Sequence, residues 1–195
     1  HNKRVQCNVT DFGNGLYEIG TTLYSQGIHD LRIWHAFPGG LRGDYHYDTF
    51  FENLALSRID KDINFEWGTG RLISRGSDYM SIRWTGLIMP LGTFTHYFKV
   101  RADDHARLWI DGDLVLDHMH QTRGDLQPAR MKNLTAGVLT EIVIEYVEII
   151  GPAYAQFMWG LSEDSLVTVP MENLYSTYQI NHMPVEIKVV SGATV

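Results

Sequence analysis

The chain has 195 residues, 44% of them hydrophobic, and a formal charge of −7 from 16 basic and 23 acidic residues. That is enough apolar material for one large domain or two small ones, which excludes a disordered chain. The acidic balance argues against binding nucleic acid phosphates or an anionic membrane surface, and no apolar run approaches the ~20 residues of a membrane-spanning helix. Cys7 is the only cysteine, so no internal disulfide can form. The chain opens on His1 and shows no signal segment, so a mature product or an excised part of a longer polypeptide is expected.

In chain order, residues 5–10 read as a short strand and 11–15 as a Gly/Asn turn. Strands at 16–23 and 28–34 follow around a turn at 24–27, and Phe37-Pro38-Gly39-Gly40 leads out of this meander. Residues 44–52 bring Tyr45, Tyr47, Phe50 and Phe51 as a strand and an aromatic loop. A strand at 63–68, a Gly/Ser/Arg loop at 68–77 and a strand at 79–87 come next.

The clearest periodicity lies further on. Phe94, His96, Phe98, Val100 and Ala102 alternate with Thr95, Tyr97, Lys99 and Arg101, the period of a strand with one buried face. Beyond Asp103-Asp104 the alternation restarts, with Ala106, Leu108 and Ile110 set against Arg107, Trp109 and Asp111. Asp111-Gly112 is a pair that tolerates positive φ in a two-residue hairpin turn, after which Leu114 and Leu116 resume the apolar face. Ile142, Ile144 and Tyr146, then Ala155, Phe157 and Trp159, form two more strands. No helix is predicted, and the fold class is all-β and antiparallel.

The run from Ala102 to Gly112, Ala-Asp-Asp-His-Ala-Arg-Leu-Trp-Ile-Asp-Gly, resembles the signature of the protective-antigen-type (PA-fourteen) β-barrel domain of toxins, flocculins and adhesins. Ser81-Ile82-Arg83-Trp84-Thr85-Gly86, Gly40-Leu41-Arg42-Gly43-Asp44-Tyr45 and residues 170–175 are similar to other segments of that family, in the same order. The resemblance implies an antiparallel β-sandwich or barrel over 39–176. The flanks resemble parts of a filamin-type immunoglobulin-like repeat, with the phrase at 9–34 similar to its middle and 181–190 to its last strand. The barrel is therefore expected as an insert in an incomplete immunoglobulin-like sandwich made of 1–38 and 177–195. An insertion of this kind costs little loop-closure entropy.

Four flanking strands are too few to close such a sandwich. Leu16, Tyr17, Ile19, Leu31, Ile33, Val185, Ile187 and Val189 would need cover from a neighbouring copy or an adjacent repeat, by strand addition. In calcium-dependent lectin members of the resembled family, a paired aspartate grips calcium, so the resemblance implies Asp103 and Asp104 as calcium ligands here. His105 stands where sugar-binding members carry Gly, and the loop 149–153 has no Asn or Asp to complete the shell. Asn8-Val9-Thr10 and Asn133-Leu134-Thr135 satisfy the N-glycosylation pattern at Asn8 and Asn133.

Other candidates read as structural. His118 and His120 share a strand side but lack a third metal ligand fixed by spacing, and Trp67, Trp84, Trp109 and Trp159 read as packing residues. Arg83 and Arg107 read as partners of barrel carboxylates, and Glu141, Glu145 and Glu148 as a solvated strand face. No catalytic motif is present. The expected function is a non-enzymatic, extracellular structural or adhesive subunit of a surface fibre, assembled through its open edges with copies of itself. The alternative is a calcium-dependent carbohydrate-binding module of an adhesin, with glycans as partners.

Overall fold

A computed structural model describes residues 7–119, 128–180 and 184–190. The chain divides into two compact units, His1–Trp34 with Gln179–Val195, and His35–Tyr178.

The smaller unit holds β1 (Asn8–Asp11), β2 (Tyr17–Gly20), β3 (Gly27–Leu31) and, from the far end of the chain, β17 (Val185–Val189). They form two antiparallel ribbons, β1 with β2 and β3 with β17. The strand expected at 16–23 is cut to its central residues, and that expected at 28–34 ends at Leu31. A two-stranded ribbon buries too little to hold longer pairing. Leu16, Tyr17 and Val185 are exposed, while Ile19, Leu31, Ile33, Ile187 and Val189 are half-buried.

The larger unit contains β4 (Trp34–Pro38), β5 (Leu41–His46), β6 (Leu54–Asp60), β7 (Asn64–Gly68) and β8 (Met80–Ile88). β9 (Phe94–Asp103), β10 (His105–Ile110), β11 (Asp113–Asp117) and β12 (Arg130–Leu134) follow. β13 (Thr140–Glu148), β14 (Ala153–Gly160), β15 (Val167–Thr168) and β16 (Leu174–Gln179) complete it. One sheet runs β11-β10-β13-β8-β16-β4, with β5 pairing both β8 and β6; the other runs β12-β9-β14-β15, with β7 on β14. The pairings are antiparallel, as the period-two patterns require. The two-residue hairpin forms where expected, with Asp111 at φ 54° and Gly112 at φ 78° between β10 and β11.

Trp84, Trp159, Tyr45, Tyr146, Phe98 and Phe157 fill the core. Trp67 is partly buried and stacks on Phe65, whereas Trp109 lies under the Arg107 guanidinium. Across the outer face of the large sheet, register aligns Asp44, Arg83, Glu145, Arg107 and Asp117 in one row of alternating charge. Arg83 donates twice to Glu145 Oε1, at 2.9 and 2.7 Å, and Arg107 twice to Oε2, at 3.1 and 2.5 Å. The arginines thus do pair with a barrel carboxylate. The solvated-face expectation fails for two of the three glutamates: Glu145 is 5% exposed and Glu148 is 0% exposed.

A buried polar knot ties β5, β6 and β8 together. The Asp60 carboxylate accepts from the Tyr45 hydroxyl at 2.7 Å, Trp84 Nε1 at 2.8 Å and Arg58 Nε at 2.6 Å. Gly43 is small because this knot leaves no room: a Cβ there would stand 2.6 Å from Asp60 Oδ2 and 2.9 Å from Trp84 Nε1. Burial, and then the Asp60 charge, push the Tyr45 hydroxyl's ionisation upward, keeping it a donor. Asp60→Ala strands two buried donors and the Arg58 charge, so a loss of ~3–5 kcal/mol is expected in urea unfolding. A loss below ~1 kcal/mol, the scale of a surface ion pair, would show the knot to be incidental.

An acidic corner between the sheets

Asp103 and Asp104 sit where the chain leaves one sheet for the other, since β9 and β10 belong to different sheets. The return from β13 to β14 crosses in the opposite sense, and register sets the two crossings side by side: His105 faces Val147, and Asp103 faces Tyr154. Ladder bonds stop at such crossings, so leftover backbone N–H groups need other acceptors. Asp104 Oδ2 accepts from Ile149 N at 2.6 Å and Ile150 N at 3.3 Å. Asp78 Oδ1 accepts from Gly151 N at 3.3 Å, and Tyr79 N donates to Ile149 O at 3.1 Å. The Asp103-Asp104 peptide is cis.

Beneath the corner, the Tyr146 hydroxyl lies 2.5 Å from the Asp103 carbonyl oxygen and 2.8 Å from Glu148 Oε2. Glu148 Oε1 has no partner among the described residues, although the side chain is wholly buried. Burial pushes the Glu148 carboxyl up to about 8, helped by the charges of Asp104, Asp103 and Asp78 and opposed by the Tyr146 hydrogen bond. Tyr146 is raised as well, by burial first and then by Glu148. Four acidic side chains therefore act on one another at the corner.

As a cation site the corner offers hard oxygens of the kind calcium takes. No three His, Cys, Asp or Glu side chains among the described residues converge as a ready-made metal cluster. Carboxylates alone therefore do not complete a shell, and carbonyls and water would supply the rest of the six to eight oxygens calcium wants. Asp78 and Tyr146 were not singled out in the sequence as site residues, and Glu148 was read there as part of a solvated strand face. Glu148 carried a signal, because it shares the parity of Ile142, Ile144 and Tyr146, which is the buried face of β13. Asp78 carried none, being a loop residue brought in only by the fold.

The remaining sequence candidates stay apart from the corner. Asn8 and Asn133 are both exposed, in β1 and β12, and Asn133 Oδ1 accepts from the Thr95 hydroxyl at 2.5 Å. His118 is 2% exposed and burial lowers its ionisation, while His120 lies outside the described residues. A shallow groove of about 320 Å³ on the large sheet is lined by Arg83, Trp109, Gly112, Glu141, Val143 and Glu145, so it includes the Arg83–Glu145 ion pair already described.

Comparison with known proteins places this architecture. The chain is 34% identical over 137 residues to Anti-sigma-I factor RsgI3 of Acetivibrio thermocellus, covering 70% of this chain and 21% of that protein. A solved anti-sigma factor domain-containing protein is 33% identical, with a TM-score of 0.66 over 70% of this chain and 48% of its own. Another, from Clostridium clariflavum, is 34% identical with a TM-score of 0.65, over 70% of this chain and 47% of its own. The chain thus spans about a fifth of the length of the curated relative and about half of the solved ones. The PA14 domain of the MpAFP antifreeze protein, 16% identical with a TM-score of 0.56, shares the fold.

These relatives overturn the expectation of a surface-fibre subunit built from copies of itself, and with it the adhesin-lectin alternative. The error has a physical source. Open edges beside Leu16, Tyr17, Ile19, Leu31, Ile33, Val185, Ile187 and Val189 offer the same N–H and C=O groups to any strand, so they name no partner. The model that describes the PA14 domain matches residues 38–173, and the chain belongs to that family.

Proposed function

We propose that this chain is the non-catalytic sensing module of an anti-sigma-factor-type regulator, exposed outside the cell, whose occupancy is signalled to a sigma factor through other parts of the polypeptide. The observation that carries this reading is the 34% identity to an anti-sigma-I factor over 137 residues. The geometry agrees with a binding role, since burial and the neighbouring acids raise Glu148 and Tyr146 at a corner between two sheets. No helix among the described residues is long and apolar enough to cross a membrane. In this reading 39–176 is the sensing body, and 1–38 with 177–195 is a partial filamin-type repeat that presents it.

Asp103 and Asp104 are the residues that would hold calcium, with Asp78 close enough to act on the same corner. A bound calcium supplies a Lewis-acidic centre for ligand oxygens. The protein's own contribution is positional: Asp104 is held by two backbone N–H groups and the Asp103 carbonyl by Tyr146.

In the full-length regulator, replacing residues 38–173 with a flexible linker is expected to shift the basal output of a sigma-dependent reporter while pull-down of the sigma factor by the remainder is retained. An unchanged reporter would remove the sensing role. A second outcome concerns the cation-free chain, kept in chelator. Glu148 titrates near 8 when folded and near 4.5 when unfolded, so the folded state binds more protons between those values. Its contribution to stability is complete below about 4.5 and falls as pH rises toward about 8. Thermal midpoints measured across that window are expected to decline, and a midpoint rising with pH there would contradict the assignment.

A further inference from the structure

His96, on β9, is 0% exposed and uses both of its ring nitrogens. Leu91 N donates to Nε2 at 3.3 Å, so Nε2 carries no proton. Nδ1 lies 3.1 Å from the Phe94 carbonyl oxygen, which can only accept, so the ring's one proton sits on Nδ1. The two bonds fix a single neutral tautomer. Together they close the turn that joins β8 to β9, and that turn is tight: a Cβ on Gly92 would stand 2.2 Å from Phe94 Cε1, and the Phe94 ring stacks on His96 with centroids 4.6 Å apart. The start of the turn is bound to another part of the unit. Met89 N donates to Asn173 O at 2.8 Å and Asn173 Nδ2 to Met89 O at 2.9 Å, immediately before β16, the strand by which the chain leaves the larger unit. Gly39 N and Gly40 N, just after the entry strand β4, donate to Leu174 O at 2.9 and 3.1 Å.

A second proton on this ring would sit on Nε2. It would turn the acceptor of Leu91 into a donor facing a donor, and it would put a charge beside Phe98 and Trp159, whose ring centroids lie 6.1 and 5.6 Å away. The elements around the ring do not compensate that charge. β12 brings Arg130 and Lys132, with Lys132 directly across from His96 and paired with Asp113 of β11. Lys99 and Arg101 have the opposite parity on β9, β14 faces the ring with Trp159, and Glu172 near Asn173 is exposed. Residues 89–93 and 135–139 hold no charged side chain. Burial lowers the ring's ionisation, opposed only by the Phe94 carbonyl.

We infer that His96 is a pH-sensitive latch: neutral, it clasps the 89–93 turn against the sandwich, and protonated, it releases Leu91 and loosens the tie between this turn and the root of β16. The latch belongs to the fold of the larger unit and operates whether or not the domain senses a ligand. It gives mild acid a route to the strand that leads out. Because the folded ring is a weaker base than the 6.5 of an ordinary histidine, the unfolded chain binds more protons just below that value. The clasp is therefore complete above about 6.5 and is lost as pH falls beneath it.

The test follows the His96 ring nitrogens and the Leu91 amide of the full chain by NMR from about pH 8 to about pH 5, with amide exchange corrected for its intrinsic rate. At the upper end the Nδ1–H tautomer and a protected Leu91 are expected. As His96 takes up its second proton, protection at Leu91 is expected to fall by about tenfold, the scale of one hydrogen bond, while Val100 in the middle of β9 keeps its own. His96→Gln offers Leu91 an acceptor oxygen and cannot titrate, so its Leu91 protection is expected to stay level. An Nε2–H tautomer at neutral pH, or Leu91 protection that ignores the His96 titration, would overturn the latch, and so would an equal fall in His96→Gln. Should that variant fail to fold, the wild type decides alone: loss at Leu91 with Val100 still protected upholds the latch, and loss at both together overturns it.

Discussion

A β-sandwich must pass its chain from one sheet to the other, and at each passage the ladder hydrogen bonds run out. Here two passages lie side by side, and the protein satisfies them with carboxylates: Asp104 takes two backbone N–H groups of the facing loop and Asp78 takes a third. The acids are placed by that structural need. Their shared negative potential follows from it. The smaller neighbours obey the same constraint, since Tyr146 closes the Asp103 carbonyl from inside the sandwich.

Glu145 and Glu148 show how far surroundings decide what a carboxylate is. They stand three positions apart on β13, both almost wholly buried. Glu145 faces outward between two guanidiniums that together give it four hydrogen bonds, so its charge is matched and the row of alternating charges knits three strands of the large sheet together. Glu148 faces inward, where the nearby charges are all acids and its one hydrogen-bond partner is a tyrosine hydroxyl. Burial then favours the neutral form of a residue type normally read as a surface anion.

Much of the larger unit was legible in the sequence because its strands alternate cleanly. β9 and β10 were readable from their period of two, and the hairpin from Asp111-Gly112, where positive φ is required at both positions. β6 and β12 were not read as strands. Both are edge strands with mostly exposed side chains, so neither shows a buried face to mark its period. The flanking ribbons were overextended for a related reason: their apolar residues alternate as strands do, but little packs against them. At the corner, the aspartate pair was visible from the resemblance. Glu148 was visible in principle from its parity with Tyr146, and Asp78 was invisible because a contact between residues 78 and 151 belongs to the tertiary fold alone.

The proposed sensing role would draw on the way this corner joins the two sheets. The corner is hydrogen-bonded to both crossings, so its occupancy bears on the backbone of both sheets at once. Without a cation, mutual repulsion among Asp78, Asp103, Asp104 and any ionised Glu148 opposes the folded corner; a divalent ion would replace that repulsion with attraction. The free-energy difference between the two states is therefore concentrated in a few loop residues, while the packed aromatic core beneath them stays rigid.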